Sequence, residues 1–371
     1  MLYQGIAAFV LLLLTLYFIS RALTLDLSID FMSQKSGFSI ANQWLTGIDS
    51  QDSRWAIYGA GTFNTVRLVV VGIILATLLG VLMGVARLSS NWLISRLAAV
   101  YVEVIRNTPL LVQIIFWHTA VLLQLPRISE NVNVGGIAFL SNRALALPWP
   151  QSQGLSGVWV ILLLASAAFA WWIRQRRLTE EDETGRSTHA NAVALGSFLV
   201  LAVGTYVATG LPVGIDAPTL TTSDTGTQDY LGGIKITPEF AALLFALVFY
   251  TGSFITEIVR GSIQALPRGQ NEAAAALGLS GYQRMTLIIL PQALRIMIPA
   301  ITNQFLNLSK NSSLAIVIGY SELFFVSSTI VNNAGRPVPM FTVVIATYLV
   351  LNLLIAGGMN WLNRRVQLAN V

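Results

Sequence analysis

Long apolar runs separated by short polar punctuation dominate this chain. A helix needs roughly 20 apolar residues to cross a bilayer. Eight stretches reach or approach that length: 6–23, 61–86, 97–122, 155–173, 191–210, 239–260, 286–308 and 340–361. The pattern predicts an all-α integral membrane protein with about eight transmembrane helices. The first stretch reads as an uncleaved span. Ser20-Arg21-Ala22 loosely resembles a cleavage site, but no positive charge precedes the apolar run. Two intervening segments differ in kind. Residues 124–154 carry Pro126, Gly135, Gly136, Pro148 and Pro150, and 211–238 carry Pro212, Gly214 and Pro218 ahead of a Thr/Ser/Asp/Gly stretch. Both predict ordered turns or short strands. No internal repeat of the kind seen in many secondary transporters is evident.

Composition agrees with this pattern. Of 371 residues, 54% are hydrophobic and 11% charged, against about 25% charged in a soluble domain; so few charges cannot coat a globule of this size. The net charge of +5 does not indicate nucleic acid, because the Lys and Arg are scattered between apolar runs rather than gathered on one stripe. They orient the loops instead. Arg87, Arg96, Arg174, Arg176, Arg177, Arg186, Arg260, Arg268, Arg284, Arg364 and Arg365 share one side with both termini. Arg21, Lys35, Arg54, Arg127, Arg143, Lys235 and Arg336 fall on the other. The positive-inside rule predicts cytoplasmic termini. With no cysteine, the chain has no disulfide framework or thiolate metal site. Its only histidines, His118 and His189, support no metal site. His118, beside Phe116 and Trp117, reads as a packed, hydrogen-bonded residue.

The segment Pro267–Pro291 predicts a short helix in a cytoplasmic loop. Asn271 is the expected cap, with Glu272 in the first turn where its charge meets the positive helix end. Ala273–Ala276 are strong helix formers without bulk, and Gly278 can take the left-handed conformation that stops a helix. The product is a thin, stiff rod suited to a groove on a partner, or else a plain connector between spans. The segment resembles the E-A-A-x3-G-x9-I-x-L-P loop of binding-protein-dependent ABC importers, with Glu272, Ala273, Ala274, Gly278, Ile288, Leu290 and Pro291 in register. Ile105–Gln113, Glu257–Gly261 and Lys310–Leu314 resemble the I-R-G-T-P-L-L-V-Q, E-I-x-R-G and K-[DN]-[TS]-S-L motifs of polar amino acid permeases of the histidine/glutamine type, with Asn107 in place of a common Gly. The span count and Ser141-Asn142-Arg143 in a long outer loop are similar to the larger permease subunit of general L-amino-acid importers.

That resemblance implies a type I ABC importer transmembrane fold with a five-helix core. It implies residues 1–60 as an extra N-terminal helix and periplasmic segment, 61–123 as the first part of the core, 124–236 as an insertion with two extra helices, and 237–371 as the second part. It further implies a multi-pass protein of the bacterial inner membrane, non-catalytic, with no cofactor of its own. ATP and Mg would be held by a partner ATPase dimer coupled through Asn271, Glu272, Ala273, Ala274 and Gly278. The other implied partners are a second permease, making a heterodimer, and a periplasmic amino-acid-binding protein.

Polar residues inside spans are costly and mark aqueous paths or interhelical bonds. Asn303, Asn307 and Asn311 recur every four residues, drifting only about 80° around a helix. Pro291 and Pro299 free the carbonyls of Leu287 and Arg295 and favour kinks. Asn303, Asn307, Asn311, Ser312 and Ser313, with Thr108 and Gln113, are the expected lining of a path for a zwitterion; interhelical bonding is the competing role. Glu257 and Arg260 sit three apart and predict a structural ion pair bracing the loop, as do Glu103 and Arg106. The chain lacks a G-x4-G-K-[ST] phosphate loop and the H-E-x-x-H and G-x-S-x-G signatures. Competing readings are a permease for another small solute and an ion-coupled secondary transporter.

Overall fold

The computed structural model describes residues 2–23, 27–40, 47–223 and 226–368. Its helices are α1 (Leu2–Leu23), α2 (Arg54–Arg87), α3 (Trp92–Asn107), α4 (Leu110–Leu122), α5 (Ser156–Thr184), α6 (Ala190–Ala208), α7 (Pro238–Gln264), α8 (Arg268–Ala276), α9 (Gly281–Ile318), α10 (Leu323–Ala334) and α11 (Pro337–Leu368). Among the described residues, α2, α5, α6, α7, α9 and α11 are long and apolar enough to cross a membrane. The bent pair α3–α4 is a seventh if taken as one span. The first predicted span is α1, 22 residues long.

The expectation of one helix over 97–122 is corrected. α3 and α4 meet at 104°. Pro109 has no N–H to give and clashes with a helical residue before it, so Thr108 is extended at φ −100°, ψ 126°. The carbonyls this break exposes are recovered by Gln113, whose Nε2 donates to Ile105 O and Thr108 O at 2.9 Å each.

The chain divides into two compact units, Met1–Gln124 with Thr237–Val371, and Leu125–Ile236. In the first, α2 and α7 form the central contact, and small residues make it possible. Gly72, Ala76, Gly80 and Gly84 lie along one buried face of α2. A Cβ on Gly80 would fall 2.5 Å from Ile255 Cβ, and one on Gly84 2.7 Å from Val259 Cβ. Small residues at four-residue spacing let two backbones approach where hydrophobic burial supplies no drive between helices in lipid. On α7, Gly252 meets Leu79 and the Tyr101 hydroxyl in the same way. Farther out on α2, Gly61 accepts the close approach of Val326 from α10.

The second unit contains α5 and α6 and the short strands. Strands β1 (Val132–Val134), β2 (Ala138–Leu140), β3 (Leu145–Leu147) and β8 (Ile234–Ile236) form an antiparallel sheet in the order β1-β2-β3-β8. Strands β4 (Trp149–Ser152) and β5 (Val213–Asp216) pair antiparallel and tie together one end of the α5–α6 hairpin; β6 (Thr219–Thr222) and β7 (Gln228–Leu231) form a third pair. Residues 224–225 of the predicted outer loop lie outside the described residues. Tyr230 stacks on Phe139 at 5.5 Å and closes a small core. At the other end of the hairpin Arg174 donates to Asn191 Oδ1 at 2.8 Å and Arg177 to Thr188 O at 2.9 Å.

Candidate functional site

The loop between α7 and α9 is built from three local signals. Pro267, with φ −57°, precedes the first turn of α8, and its fixed φ suits a helix start. The helix therefore begins at Arg268. Asn271 is not its cap and Glu272 is not in its first turn, which corrects both expectations; among the described residues no side chain caps this end. The other end is closed by Gly278 at φ 77°. Leu279 N donates to Ala274 O at 3.1 Å and Gly278 N to Ala275 O at 3.0 Å, the paired bonds of a Schellman stop. Two residues on, Ser280 opens α9 with a capping box. Its N–H donates to Gln283 Oε1 at 2.9 Å, while Gln283 N donates to Ser280 Oγ at 3.3 Å. The spacing Ser280-x-x-Gln283 carries that signal in the sequence itself. Stop and start are thus separated by a single residue, so α8 and α9 are joined by a stiff corner.

The outward side of this corner is apolar at two points. Leu277 is 82% exposed and Tyr282 79%. Neither belongs to the E-A-A pattern, and their exposure is visible only once the turn is placed. Asn271, Glu272, Ala273 and Gly278 are exposed, whereas Ala274 is buried behind them. A cavity of about 660 Å³ lies beside the helix, with Gln264, Gln270, Asn271 and Glu272 among its walls.

At the loop end of α7, Glu257 and Arg260 pair at 2.7 Å. The Glu257 carboxylate also accepts from Arg87 Nε of α2 at 3.2 Å, a partner 170 positions away that no local spacing reveals. Arg260 bonds Gln264 as well. Glu103 and Arg106 do not form the expected pair: among the described residues no ion pair joins them, and the Arg106 guanidinium lies over the Phe254 ring, 4.7 Å from its centre.

In α9 the backbone first passes through a π-helical turn, Arg284–Ile289. Such a turn accommodates the missing N–H of Pro291 just beyond it. Ala293, Met297, Ile301, Phe305 and Leu308 face inward. Ile296, Asn303, Asn307 and Lys310 are exposed on the other side. The predicted stripe ends there. From Ser312 to Ile318 the helix tightens to 3-10 geometry, with about three residues per turn, and the register rotates. Asn311 is half-buried. Ser312 is fully buried and donates to Ser309 O at 2.7 Å, while Ser313 donates to Lys310 O at 2.8 Å. Thr108 donates to Val104 O, and Gln113 is buried at the α3–α4 corner. The structure therefore puts Asn303 and Asn307 on one open face and does not bring Ser312 or Gln113 onto it.

Two further groups depart from the sequence reading. His118 sits in a π-helical turn (Phe116–Leu122), and among the described residues its buried Nε2 has no hydrogen-bond partner, against the expected bonded state. Glu322, not singled out from the sequence, is fully buried. It caps α10 by accepting from Phe325 N at 2.7 Å, and it accepts from the Tyr348 hydroxyl of α11 at 3.0 Å.

Comparison with known proteins places this geometry. The family described as binding-protein-dependent transport system inner membrane component matches residues 191–368. The chain is 41% identical over 343 residues to the general L-amino acid transport system permease protein AapQ of Rhizobium johnstonii, spanning 91% of this chain and 83% of that protein. It is 35% identical to the putative amino-acid ABC transporter permease protein YhdX of Escherichia coli, spanning 91% and 84%. It is also 35% identical to the glutamate/glutamine/aspartate/asparagine transport system permease protein BztB of Rhodobacter capsulatus, spanning 92% and 86%.

Proposed function

This chain belongs to the amino-acid ABC transporter permease family, and from that premise we propose that it is the transmembrane subunit of an importer carrying L-amino acids across a bacterial inner membrane. The observation that carries the reading is the α8 corner: a stiff nine-residue helix, closed by Gly278 and locked to α9 by the Ser280 capping box. With Leu277 and Tyr282 exposed beside it, this corner suits the groove of a separate ATPase subunit, which would supply ATP and Mg. Movement of that groove reaches α9 directly, because little slack separates α8 from α9. The Arg87–Glu257–Arg260 cluster holds the α7 side still while α9 is displaced.

The positive-inside pattern puts α8 and both termini in the cytoplasm, which leaves the short sheets of residues 125–236 on the outer side, where a soluble binding protein delivers substrate. The open face of α9 needs a second wall, supplied by another permease; the 125–236 unit favours a non-identical one. The test is reconstitution of this chain with its second permease, ATPase and binding protein in proteoliposomes. Uptake of a panel of L-amino acids should require ATP at fixed membrane potential and disappear when the ATPase is omitted. Uptake driven by an ion gradient without ATP would refute the reading.

A further inference from the structure

The α5–α6 hairpin of the second unit takes no part in the coupling described above, and it carries a feature of its own where α5 leaves the apolar layer. Only 11% of the most apolar window of α5 is buried. The run 155–173 is about 28 Å long at 1.5 Å per residue, close to the hydrocarbon thickness of a bilayer. Arg176 therefore stands at the level of lipid headgroups. Three side chains form a ladder across that boundary on one face of the helix. The Phe169 ring stacks on Trp172, with 5.7 Å between centres and 26° between planes. The Arg176 guanidinium also lies over Trp172, 4.3 Å from the ring centre. Phe169 is 46% exposed and Trp172 45%, so the ladder faces outward. Tryptophan prefers the membrane–water interface, and a stacked guanidinium keeps its in-plane N–H donors for an oxyanion.

The neighbouring charges are used differently. Arg174 donates to Asn191 Oδ1 and Arg177 to Thr188 O, and both bonds close the hairpin. Glu181 accepts from Thr188 N at 2.8 Å in the same turn. Arg176 is exposed, and among the described residues it joins no ion pair. Glu180 is also exposed and also outside any such pair. It lies on the same face, one turn and about 6 Å farther from the apolar layer. Arg174, Arg176, Arg177 and Arg186 are balanced by Glu180, Glu181, Asp182 and Glu183. This end of the hairpin thus has no net charge with which to gather anionic lipid. What the face offers is an ordered series: apolar rings, then a cation, then an anion.

We propose that this face of α5 binds a phospholipid whose phosphate is followed by a primary ammonium, as in phosphatidylethanolamine, with the phosphate on Arg176, the ammonium on Glu180 and an acyl chain along Phe169 and Trp172. The proposal rests on α5 crossing the bilayer, not on which solute is carried. The order of charges matches that headgroup, whose phosphate lies nearer the acyl chains and whose amine lies farther out. Phosphatidylglycerol would set hydroxyls against Glu180 and bring an uncompensated negative charge beside the acids. Phosphatidylcholine has no N–H to donate to a carboxylate. A similar stack on α11 lacks the third part of the series. There Arg365 lies over Trp361, 5.1 Å from the ring centre, but Val366, Gln367 and Leu368 after it are uncharged. That stack is the internal control.

The test is native mass spectrometry of the full chain, delipidated in detergent and titrated with phosphatidylethanolamine, phosphatidylglycerol or phosphatidylcholine of the same acyl chains. Arg176→Gln and Glu180→Gln should each bind phosphatidylethanolamine about tenfold more weakly than the parent, the loss expected for a charged hydrogen bond. Arg176→Lys keeps the charge but loses the planar fork and should bind with intermediate affinity. Glu180→Gln should erase the preference for phosphatidylethanolamine over phosphatidylcholine, whereas Arg365→Gln should leave it intact. Both α5 positions are exposed, and melting temperatures equal to the parent's separate loss of lipid from loss of fold. Soluble glycerophosphoethanolamine should fail to displace the lipid; displacement at equal concentration would overturn the part given to the rings. Parent-like binding of phosphatidylethanolamine in both glutamine variants would overturn the site. Phosphatidylglycerol bound as tightly as phosphatidylethanolamine, and lost with Arg176→Gln, would overturn the selectivity. Unchanged lipid binding with weaker co-purification of the ATPase or second permease would put a protein on this face and overturn the lipid assignment.

Discussion

The helices on either side of the α8 corner are both apolar spans, yet they are used in opposite ways. In α7, 61% of the most apolar window is buried inside the chain; in α9 the figure is 22%. α7 is held on the glycine face of α2 and by the Glu257 cluster. α9 packs one face only and leaves Ile296, Asn303, Asn307 and Lys310 open. Hydropathy does not distinguish the two, but side-chain size and polarity do. The arrangement gives the loop a fixed abutment on one side and, on the other, a helix that packs on α7 and α11 and keeps one face open. The proposed coupling needs that asymmetry.

The sharpest way to break the comparison is to remove the abutment. Gly80→Leu places its Cβ 2.5 Å from Ile255 Cβ. Overpacking of a tight contact costs about 1–3 kcal/mol, and the backbone of Gly252 lies close behind, with its carbonyl 3.0 Å from that position. We expect little monodisperse protein and a lowered melting temperature in detergent. Gly357→Leu on α11, where nothing lies within 4 Å of the added atom, is the matched control and should melt like the parent. Equal behaviour of the two variants would show that α7 is not specially anchored.

A smaller and more local loss is expected at the corner. Gly278 has φ 77°, and a side chain there costs roughly 1–2 kcal/mol in the left-handed region. A β-branched residue is the worst fit. Gly278→Val should leave the α2–α7 core folded, so the melting temperature barely moves. The ATPase should fail to co-purify, or hydrolysis should no longer drive uptake. Glu272→Lys reverses a charge on the exposed side of α8 and should impair the same step. Normal co-purification and normal uptake in both variants would reduce α8 to a connector.

How much of this was legible in the chain depends on the range of the forces involved. The spans were readable because crossing a bilayer demands a long apolar run, and such a run is a local property. The bend at Thr108-Pro109 was signalled by the proline, but the continuous apolar pattern across it argued for one helix. The early start of α8 turned on Pro267, whose fitness for a helix start outweighed the capping preference of Asn271. The glycines of α2 carry little signal alone, since in water glycine weakens a helix; their spacing gains meaning only once Ile255 and Val259 are placed against them. Arg87 with Glu257, and Tyr348 with Glu322, pair residues from different helices, which no window along the sequence contains. The stripe on α9 was drawn with an α-helical period that holds to Asn311 and fails at Ser312, where the helix tightens.

The gentlest perturbation sharpens the comparison from the other side. Asn303 and Asn307 are exposed on the open face of α9. Replacing both by Leu removes two amides without creating a clash, and exposed substitutions of that kind usually change stability by no more than about 0.5 kcal/mol. The double variant should therefore assemble, bind the ATPase and melt like the parent. If the open face lines the path, a passing zwitterion loses hydrogen bonds worth about 0.5–1.5 kcal/mol each, a rise of roughly two- to tenfold in KM per bond. If the face instead packs on the second permease through amide bonds, the same variant should weaken co-purification of that subunit and leave KM alone. Measuring both quantities on one preparation separates a path-lining role from an interface role. Parent-like values for both would mean that the amides face lipid, and the open side of α9 would then carry neither path nor partner.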